Sequence, residues 1–155
     1  MKKLAIVVLL VVAGCSRKAN VATSPTRPGP EITSSGGSGA IGPREAVQGF
    51  MAAAKAQDIQ AMADIWGTKE GPARGNMPTD EMEKRLLYIM RCMRHDSYSI
   101  VAESPGMGRE RMYSVEVRRG PLAPKANFWS TPGPENRWYL RDFELEKLNS
   151  ICAAK

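Results

Sequence analysis

One histidine, three cysteines and a single strand-borne aspartate are the residues whose types could do chemistry in this 155-residue chain. His95 stands between Arg94 and Asp96 at the end of a helical pattern. There it reads as a surface or capping residue, the functional alternative being a proton-transfer group titrating near neutral pH. With one histidine and the cysteines engaged elsewhere, no zinc or iron ligand set can be completed, so no metal and no cofactor is expected. The chain has no Gly-x-Ser-x-Gly nucleophile turn and no phosphate loop. Gly106-Met107-Gly108 lacks a third glycine and falls between strand patterns, so it reads as a turn. No catalytic residue is assigned.

The sharpest catalytic candidate is Asp142. Strict alternation puts Trp138, Leu140 and Asp142 on one face of a strand. If that face lines a cavity, Asp142 is a carboxylate in apolar surroundings. Its pKa then rises toward general-base values, with Tyr98 or Tyr113 as hydrogen-bond donor and Trp138 in the wall. A one-residue slip turns Tyr139, Arg141 and Phe143 inward instead, leaving Asp142 beside a surface arginine. Pattern alone leaves both registers open. Arg109, Arg111, Arg118, Arg119, Arg137 and Arg141 accompany these strands, interleaved with Glu110 and Glu116. They read as a solvated sheet face; a functional version would touch an anionic envelope polymer or a partner's acidic patch.

The elements that must position these residues follow from periodicity. Pro43 opens a helix whose Val47, Phe50, Met51 and Ala54 share one face. Asp58 is an N-cap for a second helix carrying Ile59, Met62, Ile65 and Trp66, stopped by Gly67. Residues 68–78, rich in Gly and Pro, read as a loop. Thr79 reads as the cap of a third helix, with Asp80 and Glu81 in its first turn and a stripe of Met82, Leu86, Ile89, Met90 and Met93. Beyond Asp96 the period changes to two. Strands are predicted over 98–102, 109–118, 127–130 and 137–143, with Tyr113, Val115 and Val117 on one face. Leu145, Leu148 and Ile151 can pack a short terminal segment. Helices first and antiparallel strands after give an α+β class, N-terminal helices packed on a curved antiparallel sheet.

The leading residues carry an address. Met1-Lys2-Lys3 is a basic start, and residues 4–13 are uninterruptedly apolar. As a helix this run rises about 15 Å, half of the roughly 30 Å hydrocarbon core, which fits a secretory signal peptide better than a membrane span. Val12-Ala13-Gly14-Cys15 closes the run and resembles the bacterial lipobox. The resemblance implies cleavage after residue 14, a diacylglyceryl thioether on Cys15 and an acylated amino terminus, palmitate among its chains. The chain would then be held on a membrane through Cys15. An unlipidated signal peptide is the alternative. Ser16 stands where an aspartate would resemble an inner-membrane retention signal. In a diderm bacterium that implies the periplasmic face of the outer membrane.

Assigning Cys15 to lipid leaves Cys92 and Cys152, an even remainder suited to one disulfide in an exported protein. The bridge would close a loop of about 60 residues, worth roughly 4 kcal/mol in the chain-entropy view. Two buried, unpaired thiols are the alternative. The net charge of +6 is concentrated outside the folded part: from residue 41 onward there are 17 basic and 15 acidic residues. A nearly neutral, exported domain has no electrostatic case for nucleic-acid binding. Residues 16–40 hold Pro, Gly, Ser or Thr at 15 of 25 positions. Residues 15–40 therefore read as a lipidated cysteine and a flexible spacer, and 41–155 as a single domain.

The stretch from Phe50 to Met62, a helix, an Asp-capped break and a second helix, resembles the nuclear transport factor 2-like superfamily. The closing Arg137-Trp138-Tyr139-Leu140-Arg141-Asp142-Phe143 strand adds to the likeness. The superfamily includes ketosteroid isomerase and polyketide cyclase relatives, and many of its members only bind or scaffold. The resemblance implies a cone-shaped α+β domain over about residues 43–148. This chain departs from it in lacking a clear hairpin between the second and third helices, so a three-helix, four-stranded variant is expected. The functional expectation is a membrane-anchored envelope lipoprotein acting as a non-catalytic binding or assembly module, its partner an envelope protein or polymer. The alternative is a small-molecule-binding or isomerase/cyclase-like enzyme using the cone cavity.

Overall fold

The structure is a computed structural model and describes residues 38–154. The expected signal peptide (1–14), Cys15 and residues 16–37 of the expected spacer lie outside the described residues. Helix α1 (Pro43–Ala56) begins with Pro43, where a missing N–H costs nothing, and buries Val47, Phe50, Met51 and Ala54. It stops where Gln57 takes a left-handed φ of 59°. Asp58 then caps α2 (Ile59–Ile65), its carboxylate accepting from the Ala61 N–H at 2.9 Å.

Between the second and third helices the expected plain loop contains a miniature hairpin, β1 (Gly67–Thr68) against β2 (Gly71–Pro72). Two residues per strand are too few to show a period, which is why alternation misses it. Gly67 is required here, because any Cβ would collide with the Gly71 carbonyl passing beside it. Helix α3 (Thr79–Cys92) has Thr79 as its first helical residue, not as its cap. Pro78 holds the cap position, its carbonyl accepting from Met82 N–H at 2.9 Å, and no side chain caps the end. Met82, Leu86, Ile89 and Met93 are buried as the stripe predicts, whereas Met90 is half-buried.

Four antiparallel strands follow in consecutive order: β3 (Ser97–Pro105), β4 (Arg111–Arg118), β5 (Lys125–Pro132) and β6 (Trp138–Phe143). A 3₁₀ turn (Leu145–Leu148) leads into the short α4 (Asn149–Ala153). The class is α+β. Helix α1 lies across β4, β5 and β6, and α2 packs on α1, α3 and β6. Trp66, just before β1, bridges in parallel to Leu140, so the miniature hairpin abuts the β6 edge. Ordered contacts also begin before residue 41. Gly39 N–H donates to Asp64 O, and Ala40 exchanges two backbone bonds with Trp138, all at 2.8 Å. The end of the expected spacer is therefore part of the domain.

Two bulges interrupt the sheet, one at Val101 in β3 and one at Arg141 in β6. The second decides the orientation of the last strand. Ser130 faces Leu140 and Trp129 faces Asp142, so Arg141 is the extra residue. Leu140 and Phe143 consequently both reach the helix-facing side. Phe143 stacks obliquely on Phe50 at 5.8 Å and on Phe128 at 5.7 Å between ring centroids. Neither register of a strictly alternating strand is realised. Cys92 and Cys152 stand at disulfide distance, 2.10 Å between sulfurs, tying α4 to the end of α3.

Two measurements check this packing. Phe128→Ala should lower stability by about 3–5 kcal/mol in chemical denaturation, because the aromatic trio cannot collapse around the void. Peptide mapping without reductant should link Cys92 to Cys152, and reduction should lower stability by about 2–5 kcal/mol; two freely alkylated thiols would contradict the pairing.

Candidate functional site

The four residues proposed for a cavity are not brought together. Asp142 lies opposite Trp129 with 62% of its side chain exposed, so it is no carboxylate in an apolar wall. Its oxygens take the Phe143 N–H at 2.9 Å and a distant Arg141 guanidinium at 4.0 Å. The bulge at Arg141 is the physical reason: it moves Asp142 to the outer side while sending Phe143 in. Tyr98 sits opposite Val117 and Tyr113 opposite Glu103, four pairs apart on the same ladder. Trp138 is half-buried on the β6 margin, where its backbone pairs with Ala40.

Tyr113 is fully buried under the Arg44 guanidinium, 5.9 Å from its ring centroid. Burial first, and the negative charge of Glu103 second, push its hydroxyl up to about 12. It is a hydrogen-bonding group that stays protonated, not an acid. The space between helices and sheet is occupied by Phe50, Met51, Met62, Leu86, Phe128 and Leu140, all fully buried. Among the described residues no cluster of three metal-ligating side chains occurs, and no helix is long and apolar enough to cross a membrane.

The strand arginines divide by partner. Arg118 pairs with Glu116, which Lys125 also approaches at 3.7 Å. Arg141 Nε stands 2.8 Å from Glu110 Oε1, an ion pair whose N–H is not aligned on the oxygen. Arg119 leaves the sheet and donates through Nη1 to the carbonyls of Ile151 and Ala154 at 3.1 and 3.0 Å.

Two open grooves lie on the surface. The first, about 380 Å³, runs beside the miniature hairpin and is lined by Trp66, Pro72, Met77, Asn76, Arg85 and Arg141, among others. Most of its polar side chains have a partner within the fold. Arg85 pairs with Glu81, Arg141 with Glu110, and Asn76 Nδ2 donates to Pro72 O at 2.8 Å. Thr68 donates to Glu70, holding that carboxyl below the usual carboxylate range.

The second groove, about 270 Å³, is polar and lies where α1, the turn after α3 and the end of β4 meet. Lys55, Gln57, Arg94, His95, Asp96 and Arg119 line it. His95 is only 8% exposed. Its Nδ1 is 2.8 Å from the Met93 carbonyl, which fixes the proton on Nδ1 because a carbonyl can only accept. Its ring meets Tyr98 edge-on at 5.5 Å between centroids. Asp96 is held in place, its Oδ2 accepting from Gly120 N–H at 2.7 Å and its carbonyl from Lys55 Nζ at 2.6 Å. The sequence reads His95 as a surface or capping residue, which its burial corrects, and names Arg119 only among the strand arginines; Lys55 it does not single out. The signal available was a basic residue at the close of each flanking element, which becomes a cluster only once the chain folds.

Comparison with protein-family profiles, with curated proteins and with solved structures found no match.

Burial, ahead of the Lys55 charge, lowers the His95 pKa from its ordinary 6.5. In the unfolded chain the imidazole binds its proton at higher pH than in the folded one. Stability from this group is therefore complete above pH 6.5 and declines as pH falls from there through the folded-state value. Denaturation midpoints should drop across that window in the parent, and His95→Gln should flatten this part of the profile.

Proposed function

We propose that this chain is a bacterial envelope lipoprotein whose α+β domain is a variant of the nuclear transport factor 2-like cone and works as a non-catalytic binding or assembly module. Support for the anchor comes from the basic start, the short apolar run and Val12-Ala13-Gly14-Cys15. Its membrane hold would come from several acyl chains, each methylene contributing about 0.8 kcal/mol. Support for the cone variant comes from the element order: two helices, a short hairpin, a third helix, then four consecutive antiparallel strands. The Cys92–Cys152 pair suits an oxidising compartment such as the periplasm.

The observation that carries the non-catalytic reading is the filled interior. In a cone used for chemistry the inner sheet face must leave room for a substrate. Here Tyr113, Val115, Val117, Phe128 and Leu140 cover that face with side chains fully buried in the core. Asp142, which one of the two open registers would turn inward, stands outside. Recognition is thereby moved to the surface, with an envelope protein or polymer as partner.

The test is expression of the full chain in a diderm bacterial host. Parent protein should incorporate labelled palmitate, fractionate with the outer membrane and enter the detergent phase on phase separation. Cys15→Ala should abolish the label and release the chain from that fraction. Equal partitioning of both proteins would overturn the lipid-anchor reading.

A further inference from the structure

The His95 groove carries more positive charge than its own fold uses. Three fixed cations, Lys55, Arg94 and Arg119, surround it against one carboxylate, Asp96. Lys55 is drawn to the Asp96 carbonyl, and Arg119 uses Nη1 alone on the carboxy-terminal carbonyls. Arg94 is exposed and, among the described residues, has no ion-pair or hydrogen-bond partner. His95 is the second unpaired group. With Nδ1 committed to Met93 O, its Nε2 has no partner among the described residues, although the side chain is more than nine-tenths buried and borders the groove. With Nδ1 anchored, the imidazole has Nε2 left for an acceptor in the groove that Arg94 and Arg119 also line.

We propose that this groove binds a small tetrahedral oxyanion, a phosphate- or sulfate-type group, gripped by Arg94, Arg119 and the Nε2–H of protonated His95. Planar guanidinium forks suit an acceptor with several oxygens, and a volume of about 270 Å³ admits such a group with its substituent. Binding is coupled to proton uptake. Neutral His95 keeps its proton on Nδ1 and offers a lone pair at Nε2, which repels an anion; the imidazolium donates there instead. The groups facing the ring act in opposed directions: Lys55 from α1 disfavours the imidazolium, Asp96 in the same turn favours it, and Tyr98 from β3 is neutral. An oxyanion in the groove adds to the Asp96 side. Affinity therefore rises as pH falls through the His95 titration, by up to about tenfold per pH unit for one proton taken up.

The chain has a single histidine, so one imidazole resonance reports the site. The experiment follows the His95 Cε1–H signal of the full chain in neutral maltoside detergent, titrated with sodium sulfate at several pH values against sodium chloride of equal ionic strength. Sulfate is chosen because it does not titrate in this range. A parallel arm uses bicelles with or without phosphatidylglycerol. Saturable, pH-dependent shifts in sulfate identify a free oxyanion; shifts only with phosphatidylglycerol identify a lipid headgroup as the source of the same chemistry. Arg94→Ala, an exposed substitution that should leave folding intact, should weaken the response at least about tenfold. No difference between sulfate and chloride together with no phosphatidylglycerol effect would overturn the proposal. So would an Arg94→Ala protein that responds like the parent.

Discussion

The extra residue at Arg141 governs this fold more than any single contact. A strand that alternated through β6 would bury either Leu140 with Asp142 or Tyr139 with Phe143. By inserting one unpaired position, the bulge lets Leu140 and Phe143 face the helices together while Asp142 faces away. Phe143 then completes the aromatic contact with Phe50 of α1 and Phe128 of β5. That contact joins the first helix to the last two strands. The bulged arginine is directed to Glu110, which precedes β4, and so spans β5 on the sheet's outer side.

Much of the fold was legible because its signals are local or periodic. The α1 and α3 stripes, the Asp58 cap, the Gly67 stop and the alternation of Tyr113, Val115 and Val117 each need only neighbours in sequence. What was not legible depends on pairing. A bulge leaves no mark in composition, and the miniature hairpin around Gly67 and Gly71 is shorter than any period. Thr79 has the right type for a cap, yet the backbone turns one residue earlier, at Pro78. The same distinction applies to the site. Alternation leaves the side of Asp142 and Trp138 open and the bulge decides it, whereas Arg94, His95 and Asp96 are contiguous and necessarily stay together.

Tyr139 shows how the margins are closed. Its ring lies between Gly39 and Gly133, where an added Cβ would approach to 2.8 and 2.6 Å respectively. Two glycines thus allow a large side chain to be buried on the strand's outer side, with 2% of its surface left exposed. One of them belongs to the stretch whose composition reads as spacer, so composition alone places the domain boundary a few residues too late. Backbone pairing of Ala40 with Trp138 extends the β6 edge that Trp66 and the hairpin also meet. The outer edge of the last strand is thus paired at Trp138 and at Leu140.

With the interior filled, what distinguishes the two grooves is whether their polar groups still have work to do. Beside the hairpin, Arg85, Glu70 and Asn76 are hydrogen-bonded within the fold and Arg141 is ion-paired with Glu110. The His95 groove is different. Helices α1 and α3 both end there, and the partial negative charge of helix carboxyl ends would by itself explain one or two basic residues. Those ends are already capped, however. Ala53 and Ala54 carbonyls take the backbone N–H groups of Asp58 and Gln57, and Ile89 and Met90 take that of Met93. The cations are left in excess of what the helix ends require, around an imidazole whose pKa burial lowers. A fold optimised for stability alone would put an apolar side chain at such a position, since burial of an ionisable ring lowers stability as pH falls. Retaining His95 there makes sense if an incoming anion offsets that cost.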